Sequence, residues 1–229
     1  MASNVVDARE RFVGTGVYTV PQAARLIGAP TDKLRRWVFG GRGQRSIIDH
    51  DYDQIDGVDA LSFHDLIESR FIRAFREQGV SFQHLRKVAS KAREDLNTVH
   101  PFASARFVTD GRRIILDEVD EGGRRSLIDY LSDQRTFEHF VRDLILKGVS
   151  FDARDLAETW RPQPQIAPEI IIDPRRAFGA PIISRTGTRS EVIARAAGAE
   201  KSVAAAAKTF DLTEEEVRQA VAFEERLAA

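Results

Sequence analysis

Residues 17–41, VYTVPQAARLIGAPTDKLRRWVFGG, decide how the first part of the chain folds. Thr19 stands where a helix N-cap is needed, and Gln22 takes the reciprocal capping-box position. Pro21 is tolerated in the first turn. Gly28 follows the last apolar residue, Ile27, where a left-handed residue is cheap. Thr31 then caps a second short helix carrying Leu34, Trp37 and Val38, stopped by Gly40 and Gly41. Two short helices joined by a tight turn can lay the second in a major groove. Ala24 is small enough for the crossing, Gly28 and Ala29 supply the turn, and Ile27, Leu34 and Trp37 pack underneath. Lys33, Arg35 and Arg36 lie between these anchors. At least two of them face outward, where phosphates and guanine edges can be reached.

Working outward, residues 42–60 read as a polar hairpin or loop. Phe63, Leu66, Ile67, Phe71, Ala74 and Phe75 follow a 3.6-residue period, which predicts an amphipathic helix ended by Gly79. Phe82, Leu85, Val88, Ala89, Ala92 and Leu96 predict a fourth helix, closed by His100 and Pro101. The period then changes. Ala105 to Val108, a Thr-Asp-Gly turn at 109–111, and Arg113 to Leu116 predict a β-hairpin. Phe137, Phe140, Val141, Leu144 and Ile145 return to helical spacing. Three prolines within residues 161–168 mark a linker.

Beyond the prolines, Ile170 to Ile172 and Ala180 to Ile183 predict short strands. Thr188 and Glu191 form a capping box for a helix ended by Gly198. Ser202 to Lys208 and Glu214 to Leu227 are two more helices, with Thr213 and Glu216 capping the last and Asp211 in the turn. The expected fold is mainly α in four parts: a flexible N-terminus (1–16), a winged helix-turn-helix (17–98), a middle β-hairpin, helix and linker (99–168), and a small helical, helix-turn-helix-like domain (169–229).

The 229 residues hold 34 Lys+Arg against 35 Asp+Glu. Near-neutrality rules out a uniformly basic nucleic-acid coat, but the charge is segregated. Residues 17–48 carry six bases and one acid, and the next twelve carry five aspartates and no base. Residues 174–208 hold seven bases and two acids, whereas 211–229 hold six acids and two bases. Such blocks offer separate surfaces to separate partners.

The order of helix, helix, Gly/Arg-rich wing, the Leu61-Ser-Phe63 start of a third helix, and Gly79-Val-Ser-Phe82 before a fourth resembles a MerR-type winged helix-turn-helix. The resemblance covers roughly residues 17–98. It implies DNA contacts from the second helix, the wing and the start of the first helix, which fall on Tyr18, Thr31, Lys33, Arg35, Arg36, Arg42, Gln44 and Arg45. MerR proteins usually dimerise through a long helix after the fourth. Pro101 interrupts that helix here, so the contact of an expected homodimer must be built differently. The metal-sensing cysteines of some members are absent, as is every other cysteine.

At the other end, Gly179-Ala-Pro-Ile-Ile183 followed by Gly187-Thr-Arg189 and a helix pair resembles a bacterial domain of unknown function found in antitoxins. Together the two ends resemble VapB-type antitoxins of type II toxin–antitoxin modules, whose partner toxins are PIN-like ribonucleases. The resemblance implies an operator-binding, toxin-neutralising protein. A MerR-like, ligand-responsive transcriptional regulator without a toxin partner is the rival reading. The residues themselves make the C-terminal end a poor DNA reader, because Glu214, Glu215 and Glu216 repel phosphate while suiting a helix N-terminus. Val217, Val221 and Leu227 form an apolar stripe suited to a protein partner, and Arg185 and Arg189 could reach an acidic surface.

No enzyme is read. Walker A loops, dinucleotide fingerprints and Gly-x-Ser-x-Gly elbows are missing from the sequence. Asp49, Asp51, Asp53, Asp56 and Asp59 lack the Gly and Glu that a calcium loop requires at its sixth and twelfth positions, and read as a solvated acidic loop. The five histidines do not fall at i, i+4, and each reads as a surface or capping residue. No metal and no cofactor are expected. No apolar run is long enough to span a membrane, and the first sixteen residues, with Asp7, Arg9, Glu10 and Arg11, do not resemble a signal peptide. A cytoplasmic protein is the expectation.

Overall fold

The computed structural model describes residues 12–41, 43, 45–117, 141 and 147–228. The chain divides into two compact units. One spans residues 18–147 with 151–157, and the other comprises 1–17, 148–150 and 158–229.

In the first unit, β1 (Tyr18–Thr19) leads into α1 (Val20–Ile27), and α2 (Thr31–Phe39) follows after three residues. The Thr19–Gln22 capping box forms. Gly28 ends α1 at φ 67°, and a Cβ there would come 2.6 Å from the Arg73 guanidinium, so both conformation and space require glycine. The N-cap of α2 is Pro30, not Thr31. The proline's fixed extended backbone lets its carbonyl take the first helical hydrogen bonds, from Lys33 and Leu34, and leaves Thr31 exposed inside the first turn.

β1 pairs antiparallel with β2 (Ala60–Leu61), and α3 (Phe63–Glu77) and α4 (Phe82–Leu96) follow. Ser62 and Asp65 form a capping box on α3. Leu34, Leu66, Ile67, Phe71 and Phe75 are all buried, as their spacing predicts.

The hairpin expected at 105–116 is instead α5 (Arg106–Asp117). Val, Thr and Ile favour strands locally, but Phe107, Gly111, Ile114 and Ile115 also share a helical face, and all four are buried. Phe107 meets Phe71 and Phe102 edge-on at 4.9 and 5.1 Å. A Cβ at Gly111 would strike the Phe107 ring at 2.4 Å, so what reads as turn glycine is a helical glycine making room for an aromatic. Burial of that cluster outweighs roughly 1 kcal/mol of poor helix propensity at the glycine. The helix expected around Phe137 to Ile145 lies outside the described residues except for Val141, which is buried, and residues 1–11 lie outside them too.

The second unit is not purely helical. Its α6 (Ser190–Glu200), α7 (Val203–Phe210) and α8 (Glu214–Ala228) accompany a four-stranded sheet, ordered β3 (Val149–Phe151), β4 (Ala157–Trp160), β5 (Ile170–Ile172) and β6 (Pro181–Ile183), of which the end residues Phe151 and Ala157 count with the first unit. β5 runs antiparallel to both neighbours, with Ile171 opposite Ile182 and Trp160 opposite Ile172. All three isoleucines of β5 are buried, and α8 packs on that strand. The chain is therefore mixed α/β rather than mainly α.

The proline-rich stretch is a hydrogen-bonded turn inside this unit. Ala167 donates to Gln163 O at 2.8 Å, Arg161 Nε donates to Pro168 O at 3.0 Å, and Ala167 is buried. The predicted Thr188–Glu191 box does not form: Arg189 is the N-cap of α6. The Thr188 carbonyl accepts from Ile183 N at 2.9 Å and its hydroxyl meets Thr186, so Thr188 stays in the turn after β6. The helix also passes Gly198 and ends at left-handed Lys201. The Thr213–Glu216 box and left-handed Asp211 form as predicted. Among the described residues no helix is long and apolar enough to cross a membrane.

Candidate functional site

The basic face of the first unit is built on α2. Leu34, Trp37 and Val38 point into the core, so the intervening side chains point out. Thr31, Lys33, Arg35, Arg36 and Arg45 are exposed. Two of these cations already have partners. Arg36 pairs with Asp32 one turn back at 3.0 Å, an exposed contact of little strength. Arg35 reaches the mostly buried Asp59 at 2.6 Å. Tyr18 departs from expectation: it is 3% exposed in β1, which removes its ring from any groove-facing surface. Arg42 and Gln44 lie outside the described residues.

Two further arginines join this face from α3. A cleft of about 440 Å³ is lined by Lys33, Arg36, Arg73 and Arg76, with Glu77 the acid among them. Arg73 donates to the carbonyl of Ile27, closing the C-terminal end of α1, and pairs with Glu77 at 2.8 Å. Arg76 lies over the Phe82 ring at 4.2 Å and donates to the Val80 carbonyl. Both arginines fall on the amphipathic helix, where the period explains them as solvated; only packing α2 against α3 brings them beside Lys33.

The acidic loop is held down. Asp49 pairs with Arg93 at 3.1 Å and Asp59 with Arg35. Asp51 Oδ1 meets His100 Nε2 at 3.0 Å. His100 is not a surface residue: its other nitrogen meets Glu68 Oε2 at 3.2 Å, and it is 6% exposed. Glu68 also accepts from Phe102 N. Burial disfavours the His100 imidazolium, but the two carboxylates outweigh burial and raise its pKa to about 10. His64 lies beside it, ring centroids 5.0 Å apart. Asp65, fully buried behind Ser62, is pushed up to about 6 by burial. No local pattern brings residues 51, 64, 68 and 100 together; the crossing of the loop, α3 and the turn at 100–103 does.

In the second unit, Arg185 is a structural clip. Its guanidinium donates to both oxygens of Glu216, at 3.2 and 3.1 Å, and to Asp211 O at 2.8 Å. These bonds hold the turn between β6 and α6 to the N-terminus of α8, and the Arg185 hydrogen bond keeps the Glu216 carboxyl below the usual carboxylate range. Arg189 is exposed, its Nη2 3.5 Å from Ala177 O. Of the predicted apolar stripe, Val217 is fully buried within its own unit, whereas Val221 and Leu227 are partly exposed. The most exposed aromatic of this unit was not anticipated. Phe178 is 62% exposed at φ 55°, directly after Ala177 at φ 49°. Two successive left-handed non-glycine residues are strained, and Arg176 donating to Ser184 O and Val17 N donating to Phe178 O hold the turn.

This turn lies within a stretch with a recognised relative. Residues 170–223 match the model of a protein family of unknown function, DUF433. Over 222 residues the chain is 24% identical to the Mycobacterium tuberculosis (strain ATCC 25618 / H37Rv) protein named "Putative antitoxin VapB45", covering 90% of this chain and 92% of that one. It also resembles the crystal structure of Rv2018 from Mycobacterium tuberculosis with a TM-score of 0.70 and 26% identity, across 89% of this chain and 96% of the other. The likeness thus extends over both units and supports an antitoxin-like family.

Proposed function

We propose that this protein is the antitoxin of a type II toxin–antitoxin module. It acts by binding rather than by catalysis: it neutralises a PIN-like ribonuclease toxin and binds operator DNA to regulate its own synthesis. The observation that carries this reading is the similarity to an antitoxin-named protein over nine-tenths of both chains, rather than over one domain.

The surfaces support a division of labour. Thr31, Lys33, Arg35, Arg36 and Arg45, joined by Arg73 and Arg76, form the DNA face, in the manner of a MerR-like helix-turn-helix. By the same resemblance Arg42 and Gln44, outside the described residues, are assigned to DNA contact as well. A duplex site read by one such domain is a half-site, so the operator complex is that of a homodimer. The partner face is the turn around Phe178 with Arg189 and the exposed part of α8, Val221 and Leu227. A strained, exposed aromatic flanked by arginines is the kind of anchor that dominates binding to an acidic surface, and a ribonuclease active site lined with carboxylates is such a surface. Both functions place the protein in the cytoplasm.

Co-expression with the product of the adjacent reading frame tests the proposal. The neighbour alone should arrest growth, and the pair should grow and co-purify. A harmless neighbour, or arrest that this protein leaves unrelieved, contradicts it.

A further inference from the structure

We propose that Asp51, His64 and His100 form a binding site for a divalent transition-metal ion of the zinc class, with Glu68 and the Ala157 carbonyl orienting the two imidazoles. The inference is independent of the antitoxin reading.

One ligand atom from each of Asp51, His64 and His100 lies within 4.8 Å of the others. Zinc bonds of about 2.0–2.2 Å place ligand atoms a little over 3 Å apart, so small side-chain rotations close the set. Two imidazoles and one carboxylate are a donor set that zinc accepts, with a fourth position left for water. Asp51 sits at the edge, its side chain 32% exposed, which gives the ion a way in.

The second layer carries the inference further. A metal-bound histidine characteristically gives its other nitrogen to a carboxylate or a backbone carbonyl. Both forms occur here. His100 Nδ1 meets Glu68 Oε2 at 3.2 Å, and Glu68 is itself fixed by Phe102 N at 3.1 Å. His64 Nε2 is 3.0 Å from Ala157 O, so the neutral ring donates there and carries its lone pair on Nδ1. His100 Nε2 now meets Asp51 Oδ1 at 3.0 Å, and a cation between them takes both atoms.

An independent observation concerns charge. Asp65 is fully buried, its Oδ1 has no hydrogen-bond partner, and a ligand atom of Asp65 lies within 4.8 Å of ligand atoms of Glu68 and His100. Among the described contacts no lysine or arginine pairs with Asp51, Asp65 or Glu68. Even with His100 as the imidazolium, three carboxylates leave an excess of negative charge in a largely buried place, and a divalent cation taking the place of the proton between His100 Nε2 and Asp51 Oδ1 offsets it. The bound ion would tie the acidic loop to α3 and to the turn at 100–103. The same loop carries Asp59, the partner of Arg35 on α2.

The test uses the full-length chain without a histidine tag, stripped with a chelator. Zn²⁺ is titrated in competition with a chromophoric chelator, and Co²⁺ is followed by its visible absorption. Wild type should take one ion per chain, gain thermal stability from it, and give the intense absorption of a tetrahedral cobalt site. Asp51→Asn keeps a hydrogen bond to His100 and lies at the surface edge, so it should fold; it should bind zinc about tenfold or more weakly and lose the cobalt absorption. His64→Phe should bind zinc as weakly, and should melt somewhat lower than wild type in the absence of metal because the hydrogen bond to Ala157 O is lost. Should His64→Phe fail to fold, Asp51→Asn decides alone. Wild-type affinity in Asp51→Asn, or zinc binding by wild type no tighter than by the variant, overturns the site.

Discussion

Each end of the chain carries two short helices joined by a tight turn, yet the second helix begins with opposite chemistry. At α2 the first turn presents Thr31, Asp32 and Lys33 to solvent, with Arg36 drawn back over Asp32, and no side-chain cap closes it. At α8 the first turn is filled. Thr213 and Glu216 cap each other, and Arg185 covers the Glu216 carboxylate from a different loop. An uncapped helix start flanked by Lys33, Arg35 and Arg36 can receive a phosphate, whereas a start already satisfied by an internal anion and an internal cation cannot. The backbone pattern is shared, and the side chains at the helix start assign the role.

If both helix pairs rest on comparable cores, removing an anchor from either should hurt most. Trp37→Ala in the first unit and Phe223→Ala in the second each bury too little to hold the pair, and each should cost about 3–5 kcal/mol of stability, since the side chains are 4% and 0% exposed. Denaturant unfolding checks this. Wild-type stability in either variant would show that its helix pair does not depend on the anchor.

The asymmetry in partners comes next. Phe178→Ala should weaken binding to the co-expressed toxin by about 2 kcal/mol, roughly thirtyfold, with folding unaffected because the ring is mostly in solvent. DNA binding should not change. Calorimetric titration of toxin into each protein separates the outcomes.

Much of this contrast was legible in the sequence. The Thr19, Gln22 and Gly28 signals, the period of α3 and α4, the strand at 170–172 and the Thr213–Glu216 box are local rules that the fold obeys. The misreadings arise where a distant contact overrides a local rule. Phe107 needs Gly111 bare, so a turn-like Thr-Asp-Gly sits inside a helix. Thr188 bonds to β6 and yields the cap to Arg189. Arg185, expected to face a partner, also bonds Glu216, which lies 31 positions away, a contact that no local pattern announces. His64 and His100 gain meaning only where the loop crosses α3, and neither spacing nor composition announces that crossing.

Smaller effects sharpen the role of Arg185. Arg185→Ala should destabilise the chain measurably but far less than the core substitutions, because the guanidinium is half in solvent. The sign of its pH dependence follows from Glu216. A carboxyl held below its ordinary pKa in the folded state adds stability above that ordinary pKa and loses it as pH falls through the folded value. The gap between wild type and Arg185→Ala should therefore close on acidification through and below the carboxylate range. A gap that widens there contradicts the clip.

The division of labour is tested most directly by the salt dependence of DNA binding, measured with a duplex from upstream of the protein's own gene. Each lost phosphate contact lowers the slope of log K against log salt by about one. Replacing Lys33, Arg35 and Arg36 with Ala should flatten the slope by about two to three. Replacing Arg185 and Arg189 should leave it unchanged. A slope that survives the first set of substitutions and falls with the second would contradict the account.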